Sequence, residues 1–97
     1  MTIDKRLNGN TVEFRLSGWL DTRTARELEV ALEALEPNVN ALELDFEHLE
    51  YISSAGLRQV VAAYKCMNGA LTLRHVSDEI LNVLKMTGLE RRLKIEP

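Results

Sequence analysis

Two adjacent hydroxyls, Ser53 and Ser54, carry most of the chemical interest in this chain. They stand in the stretch Tyr51-Ile52-Ser53-Ser54-Ala55-Gly56-Leu57, immediately before a run with helical apolar spacing. Serines in that place admit three chemistries. One that precedes an apolar helix accepts a hydrogen bond from a first-turn N–H and caps the helix. One backed by a base is a nucleophile. One left exposed at a helix start can carry a phosphate. A helix N-terminus bears roughly half a positive charge and tolerates the added charge of about −1.5 to −2.

The surrounding residues weigh on each. Gly56 and Leu57 occupy the positions where Glu or Gln would complete a capping box, so no box accounts for the pair. The nucleophile reading needs a G-x-S-x-G elbow and a base, whereas the stretch reads I-S-S-A-G. The only imidazoles are His48, expected in a turn, and His75, expected in an alternating strand. Two His and a single Cys66, widely spaced, match no zinc pattern. Cys66 reads as a small packed residue of a helix. No G-x-x-x-x-G-K-[ST] loop is present, so no nucleotide or other cofactor is expected. In the modification reading, the N–H groups of the following turn face the oxygen of Ser54. Gly56, with no side chain, leaves the helix start open to close approach.

The elements that must position this pair alternate in type. "TVEFRLSG" puts Val12, Phe14 and Leu16 on one side of a strand, and Asn8-Gly9-Asn10 before it suggests a hairpin. "DTRTARELEVALEALEPN" changes to helical spacing through Leu28, Leu32 and Leu35, flanked by Ala25, Ala31 and Ala34. Asp21 or Thr22 can cap its start and Pro37 ends it. Its evenly spread glutamates read as a solvated face. "ALELDFE" alternates again and leads through a turn at His48 to the serine pair. The second helix then shows Leu57, Val60, Val61 and Tyr64 at helical spacing and ends at Asn68-Gly69. "ALTLRHV" is a strand. "SDEILNVLKMTG" is a helix capped by Ser77, and "RRLKIE" is a closing strand. The order ββαβαβαβ predicts an α/β fold with a mixed, mostly parallel sheet, and the alternation of its strands predicts helices packed mainly on one face.

Bulk properties narrow the setting. A chain of 97 residues is expected to form a single domain over 1–97, with a core that needs no staples. A net charge of −3 argues against nucleic acid as a partner, and "ERRLK" near the C-terminus reads as a solvated edge. A lone cysteine fits a reducing compartment. "MTIDKRLNGN" lacks the apolar core of a signal peptide, and no apolar run approaches the ~18 residues of a membrane span. The expectation is a cytoplasmic protein with no direct membrane contact.

The serine stretch resembles the F/Y-[IM]-D-S-[STA]-G-L motif of STAS domains, the bacterial anti-sigma factor antagonists. The likeness extends over nearly the whole chain. "LSGWLDTRTARELEVAL" is similar to the family's L-x-G-x-L-D-x-x-T-A segment at Leu16, Gly18, Leu20, Asp21, Thr24 and Ala25. "LKMTGLERRLKI" is similar to its C-terminal ending at Met86, Gly88, Leu89 and Ile95. The resemblance implies a STAS-like fold and a non-enzymatic partner-switching module. Such a module binds an anti-sigma factor that is also a serine kinase. The kinase holds ATP and Mg²⁺ and phosphorylates the Ser after the motif's Asp, here Ser54, and a phosphatase resets the switch. Ser53 stands where the family has that Asp, which removes a carboxylate beside the target hydroxyl. The implied partner surface comprises Ser53, Gly56, Leu57 and Arg58 with Trp19, Asp21 and Thr22. Trp19 is either a lid over the local core or an interface anchor. The rival expectation is a STAS adaptor subunit of a lipid-transport ABC complex, holding its ATPase without being phosphorylated. A small-molecule sensor ranks lower, because the expected core is almost wholly aliphatic.

Overall fold

A computed structural model describes every residue from Met1 to Pro97. Strands β1 (Thr2–Asn8) and β2 (Thr11–Leu20) form an antiparallel hairpin. Helix α1 (Ala25–Glu33), β3 (Ala41–Ile52), α2 (Ser54–Cys66), β4 (Leu71–Arg74), α3 (Asp78–Met86), a 3-10 turn (Leu89–Arg91) and β5 (Lys94–Ile95) follow. The five strands lie in sequence order, β1-β2-β3-β4-β5, and every pair after the hairpin is parallel. Each crossover therefore steps to the next strand in the same direction. Right-handed crossovers that never reverse place all their helices on one sheet face. A reversal would be needed to create the crevice in which doubly wound sheets bind ligands.

The strand pattern agrees with one covered face. Val12, Phe14 and Leu16 of β2, Leu42, Leu44 and Phe46 of β3, and Leu71 and Leu73 of β4 are buried against Leu28 and Leu32 of α1, Val60 and Ala63 of α2, and Ile80 and Leu84 of α3. The opposite face is a charge lattice. Asp4, Arg15, Asp45 and Arg74 stand opposite one another across four strands, in alternating sign. Opposite charges directly across a ladder are mutually favourable. Arg74 also reaches Glu43 and Glu96, at 3.6 and 3.4 Å. Asp45 is the only buried charged residue. Desolvation raises its pKa, but the Glu47 N–H, the His75 imidazole and the charges of His75 and Arg15 outweigh it and hold the carboxyl below its usual range.

Several sequence expectations are corrected. The turn expected at His48 is strand: β3 runs unbroken to Ile52, and His48 pairs with Ser17. From the Arg15–Asp45 pair to Ser17–His48, β2 advances two residues and β3 three; from Gly18–Leu49 to Trp19–Tyr51 they advance one and two. Each bulge inserts one residue, so the buried positions of β3 change from alternate ones (Leu42, Leu44, Phe46) to every third (Leu49, Ile52). A period of three does not read as a strand. His75 lies just beyond β4, in the left-handed region at φ 54°. Cys66 is exposed and not packed. The deepest line of α2 is Gly56, Val60 and Ala63, whereas Leu57, Val61 and Tyr64 flank it half-buried.

Candidate functional site

The C-terminal ends of β2 and β3 are paired, Leu20 with Ile52, and the chain leaves both at the same edge. Two local structures meet there. One is the turn from Trp19 to Thr24 that leads into α1. The other is the serine pair that opens α2.

The turn is closed by reciprocal hydrogen bonds. Oδ1 of Asp21 accepts from the N–H groups of Arg23 and Thr24, at 3.0 and 3.1 Å. The Thr24 hydroxyl accepts from the Asp21 N–H at 2.8 Å and donates to the Trp19 carbonyl at 2.6 Å. This is the reciprocity of a capping box, with Thr in place of Glu. The regular helix begins only at Ala25, but Asp21, one of the two expected caps, closes the turn that feeds it. The Thr24 backbone N–H, helped by its hydroxyl and by Arg23, holds the Asp21 carboxyl below its ordinary range against partial desolvation. Thr22 is exposed on the outside of the turn.

The two serines divide the roles that the sequence left open. Ser53 is extended, with φ −95° and ψ 176°, and its Oγ accepts from the Gly56 N–H at 3.2 Å. Its own N–H donates to the Leu20 carbonyl at 2.9 Å, tying the helix start to β2. The oxygen that faces the first turn is therefore that of Ser53, not of Ser54 as expected, because the cap position requires extended backbone and Ser54 is already helical. Ser54 is the first residue of α2, and its side chain is exposed. Replacing Ser53 with Ala should lower stability by about 1 kcal/mol, the usual value of an N-cap. Chemical denaturation of the variant checks this. No change in the midpoint would show the cap to be dispensable.

Gly56, expected on the partner surface, is buried. A Cβ there would lie 2.7 Å from the Leu20 carbonyl oxygen and 2.8 Å from side-chain atoms of Leu20 and Ile52. The close approach that this glycine permits is made by the protein's own sheet. Leu57 is half-buried against the core, and Arg58 is exposed one turn into α2. The first turn of α2 holds no acidic residue, in contrast to α3, whose first turn carries Asp78 and Glu79. The positive end of the α2 dipole is thus left without a carboxylate of its own.

Trp19 is 56% exposed and its cross-strand partner Tyr51 45% exposed, with ring centroids 5.1 Å apart and planes tilted by 43°. Leu20 and Ile52, their neighbours, are buried against the helices, so strand alternation puts the aromatic pair on the helix-free face. At that exposure Trp19 is not a lid over the core. Tyr51 was not anticipated beside it. The pairing exists because the two extra residues of β3 shift its register against β2, and the sequence carries no mark of where bulges fall.

A small α/β domain with a capped helix start and an exposed hydroxyl at one sheet edge defines a class. The family model described as "Mlab, STAS domain" matches residues 3–96, and the chain belongs to this family of STAS domains. It is 25% identical over 93 residues to an anti-sigma-B factor antagonist of Bacillus subtilis, covering 93% of this chain and 85% of that protein. Among solved structures it resembles an anti-sigma factor antagonist from Mycobacterium paratuberculosis, with a TM-score of 0.88, 23% identity, and 99% and 85% of the two chains covered. It also resembles the antagonist SpoIIAA in its unphosphorylated form, with a TM-score of 0.77, 17% identity, and coverage of 97% and 86%.

Proposed function

We propose that the protein is a partner-switching regulator of the anti-sigma factor antagonist type, itself without catalytic activity, acting in the bacterial cytoplasm. In this reading it binds an anti-sigma factor that is also a serine kinase. The docking surface is the start of α2 with Ser54 and Arg58, together with Thr22 and the aromatic pair of Trp19 and Tyr51. ATP and Mg²⁺ belong to the kinase. Phosphate on Ser54 weakens the complex, and a phosphatase restores it.

The observation that carries this reading is the division of labour between the serines. Ser53 supplies the cap, so the exposed hydroxyl of Ser54 can gain or lose charge without disturbing the helix. The absence of acidic residues from the first turn of α2 supports it further, because an added phosphate meets a positive helix end and no carboxylate of that turn. The resemblance to an anti-sigma-B factor antagonist supports an anti-sigma factor as the partner.

The test is incubation with the host's kinase-type anti-sigma factors and ATP, followed by mass spectrometry of the intact chain and its peptides. One phosphate on Ser54 is expected, lost in Ser54→Ala and retained in Ser53→Ala. Absence of phosphate with every such kinase would remove the switch. A second reading is an adaptor of a lipid-transport ABC complex, to which Ser53 in place of the motif's Asp lends weight, because the target hydroxyl lacks its neighbouring carboxylate. Copurification with a transporter ATPase, with Ser54 unmodified, would establish that reading instead.

A further inference from the structure

Strand β1 forms one edge of the sheet and pairs only with β2. It is seven residues long, and every one of them but Ile3 is exposed. An edge strand carries a row of backbone N–H and C=O groups without partners. Two charged side chains of this strand are unpartnered as well. Asp4 and Arg6 lie on the helix-free face, opposite Arg15 and Glu13 of β2. Those two bond each other along β2, at 3.0 Å, and neither Asp4 nor Arg6 forms an ion pair within the chain. On the helix side, Leu7 is 52% exposed. We infer that a second copy of the chain occupies this edge, its β1 running antiparallel to the first about a two-fold axis at Lys5, so that two five-stranded sheets join into one.

The strand is complementary to itself. A two-fold axis perpendicular to the sheet keeps the helices of both copies on one side, so each residue meets one from the same face. With the axis at Lys5, Asp4 stands opposite Arg6 of the second copy, and Arg6 opposite its Asp4. Opposite charges facing each other across a ladder attract. On the helix side, Ile3 and Leu7 meet in the same reciprocal way, which covers the exposed leucine. Lys5 is the middle residue of Thr2–Asn8, so the whole strand is paired and neither end overhangs.

Other registers are worse. Moving the axis to Asp4 sets two aspartates opposite each other, and moving it to Arg6 sets two arginines together; both leave residues at the strand ends unpaired. Lys5 meets its own copy at the axis, where Glu36 of the same chain holds each ammonium. The contact is independent of the switch at Ser54. Thr2 is paired with Ser17, so β1 stops short of Trp19 and the aromatic pair of each copy stays free.

Sedimentation equilibrium of the full chain, from micromolar to millimolar concentration, would test the edge. The wild type should show a reversible equilibrium between monomer and dimer, and Ser54→Ala should show the same one. Asp4→Arg and Arg6→Asp should each weaken association at least about tenfold, because each turns two attractive cross-strand pairs into two repulsive ones. Both substitutions in one chain should restore the dimer. Mixed in equal amounts, the two single variants should associate with each other more tightly than either does with itself. Recovery by exchange or by mixing requires the two side chains to face each other, and a loss of folding would not reproduce it. A wild type that stays monomeric throughout, single variants that dimerise unchanged, or failure of both the exchange and the mixture to recover association would overturn the inference.

Discussion

Gly56→Ala should destabilise the protein by about 3 kcal/mol, near the upper end of overpacking costs. In an exposed helix the same change stabilises by roughly 1 kcal/mol, because glycine is a poor helix former. Here the new methyl group would lie 2.7 Å from the Leu20 carbonyl oxygen and 2.8 Å from Leu20 Cγ and Ile52 Cγ1. Backbone cannot rotate away as a flexible side chain can. The same carbonyl accepts the Ser53 N–H, so displacing it also loosens the cap that seats α2. Urea denaturation monitored by circular dichroism would give the change. A variant as stable as the wild type would mean that α2 does not sit this close to β2. Under the proposed function, the displaced helix start carries Ser54, so the variant should also lose partner binding beyond what its stability predicts.

Trp19→Ala should separate affinity from stability. Under the proposed function, Trp19 anchors the partner, and truncating an interface hot spot costs about 2 kcal/mol or more, roughly a thirtyfold loss of affinity. Its contribution to folding is smaller. The ring is more than half exposed, and its contact with Tyr51 is worth about 0.5–1.5 kcal/mol, the usual value of an aromatic pair. Tyr51→Ala and the double variant would complete a cycle that isolates the pair. Affinity should be measured by titration against the anti-sigma factor, and stability by thermal unfolding. Intact affinity with a sharply lowered melting temperature would assign Trp19 to the fold and move the docking surface elsewhere.

The Asp45–His75 contact, the role of Gly56 and the Trp19–Tyr51 pair have a common origin. Each depends on register between strands or on the distance of a helix from the sheet. Asp45 and His75 are 30 residues apart and meet because β3 and β4 pair in parallel with Asp45 opposite Arg74. Asp45 could be read only as the polar position of an alternating strand. His75 looked like a strand residue because its left-handed backbone leaves no trace in the residue pattern. Gly56 permits close approach by its residue type, but the residue pattern does not tell which surface approaches it.

The features legible in the residues alone are local in origin. Alternation at Val12, Phe14 and Leu16 and helical spacing through Leu28 and Leu32 follow from backbone geometry and one apolar solvent boundary. The cap at Ser77, the hairpin glycine at Gly9 and the order of elements are local as well; that order implies a mixed, mostly parallel sheet, and the strand alternation implies one covered face. How the two serines share their roles follows from packing between distant elements. That packing also places the bulges that lengthen β3, brings Trp19 against Tyr51, and sets a carboxylate and an imidazole across two strands. These are long-range pairings: residues distant in the chain settle them by competing for the same space, and no short window of sequence records the outcome.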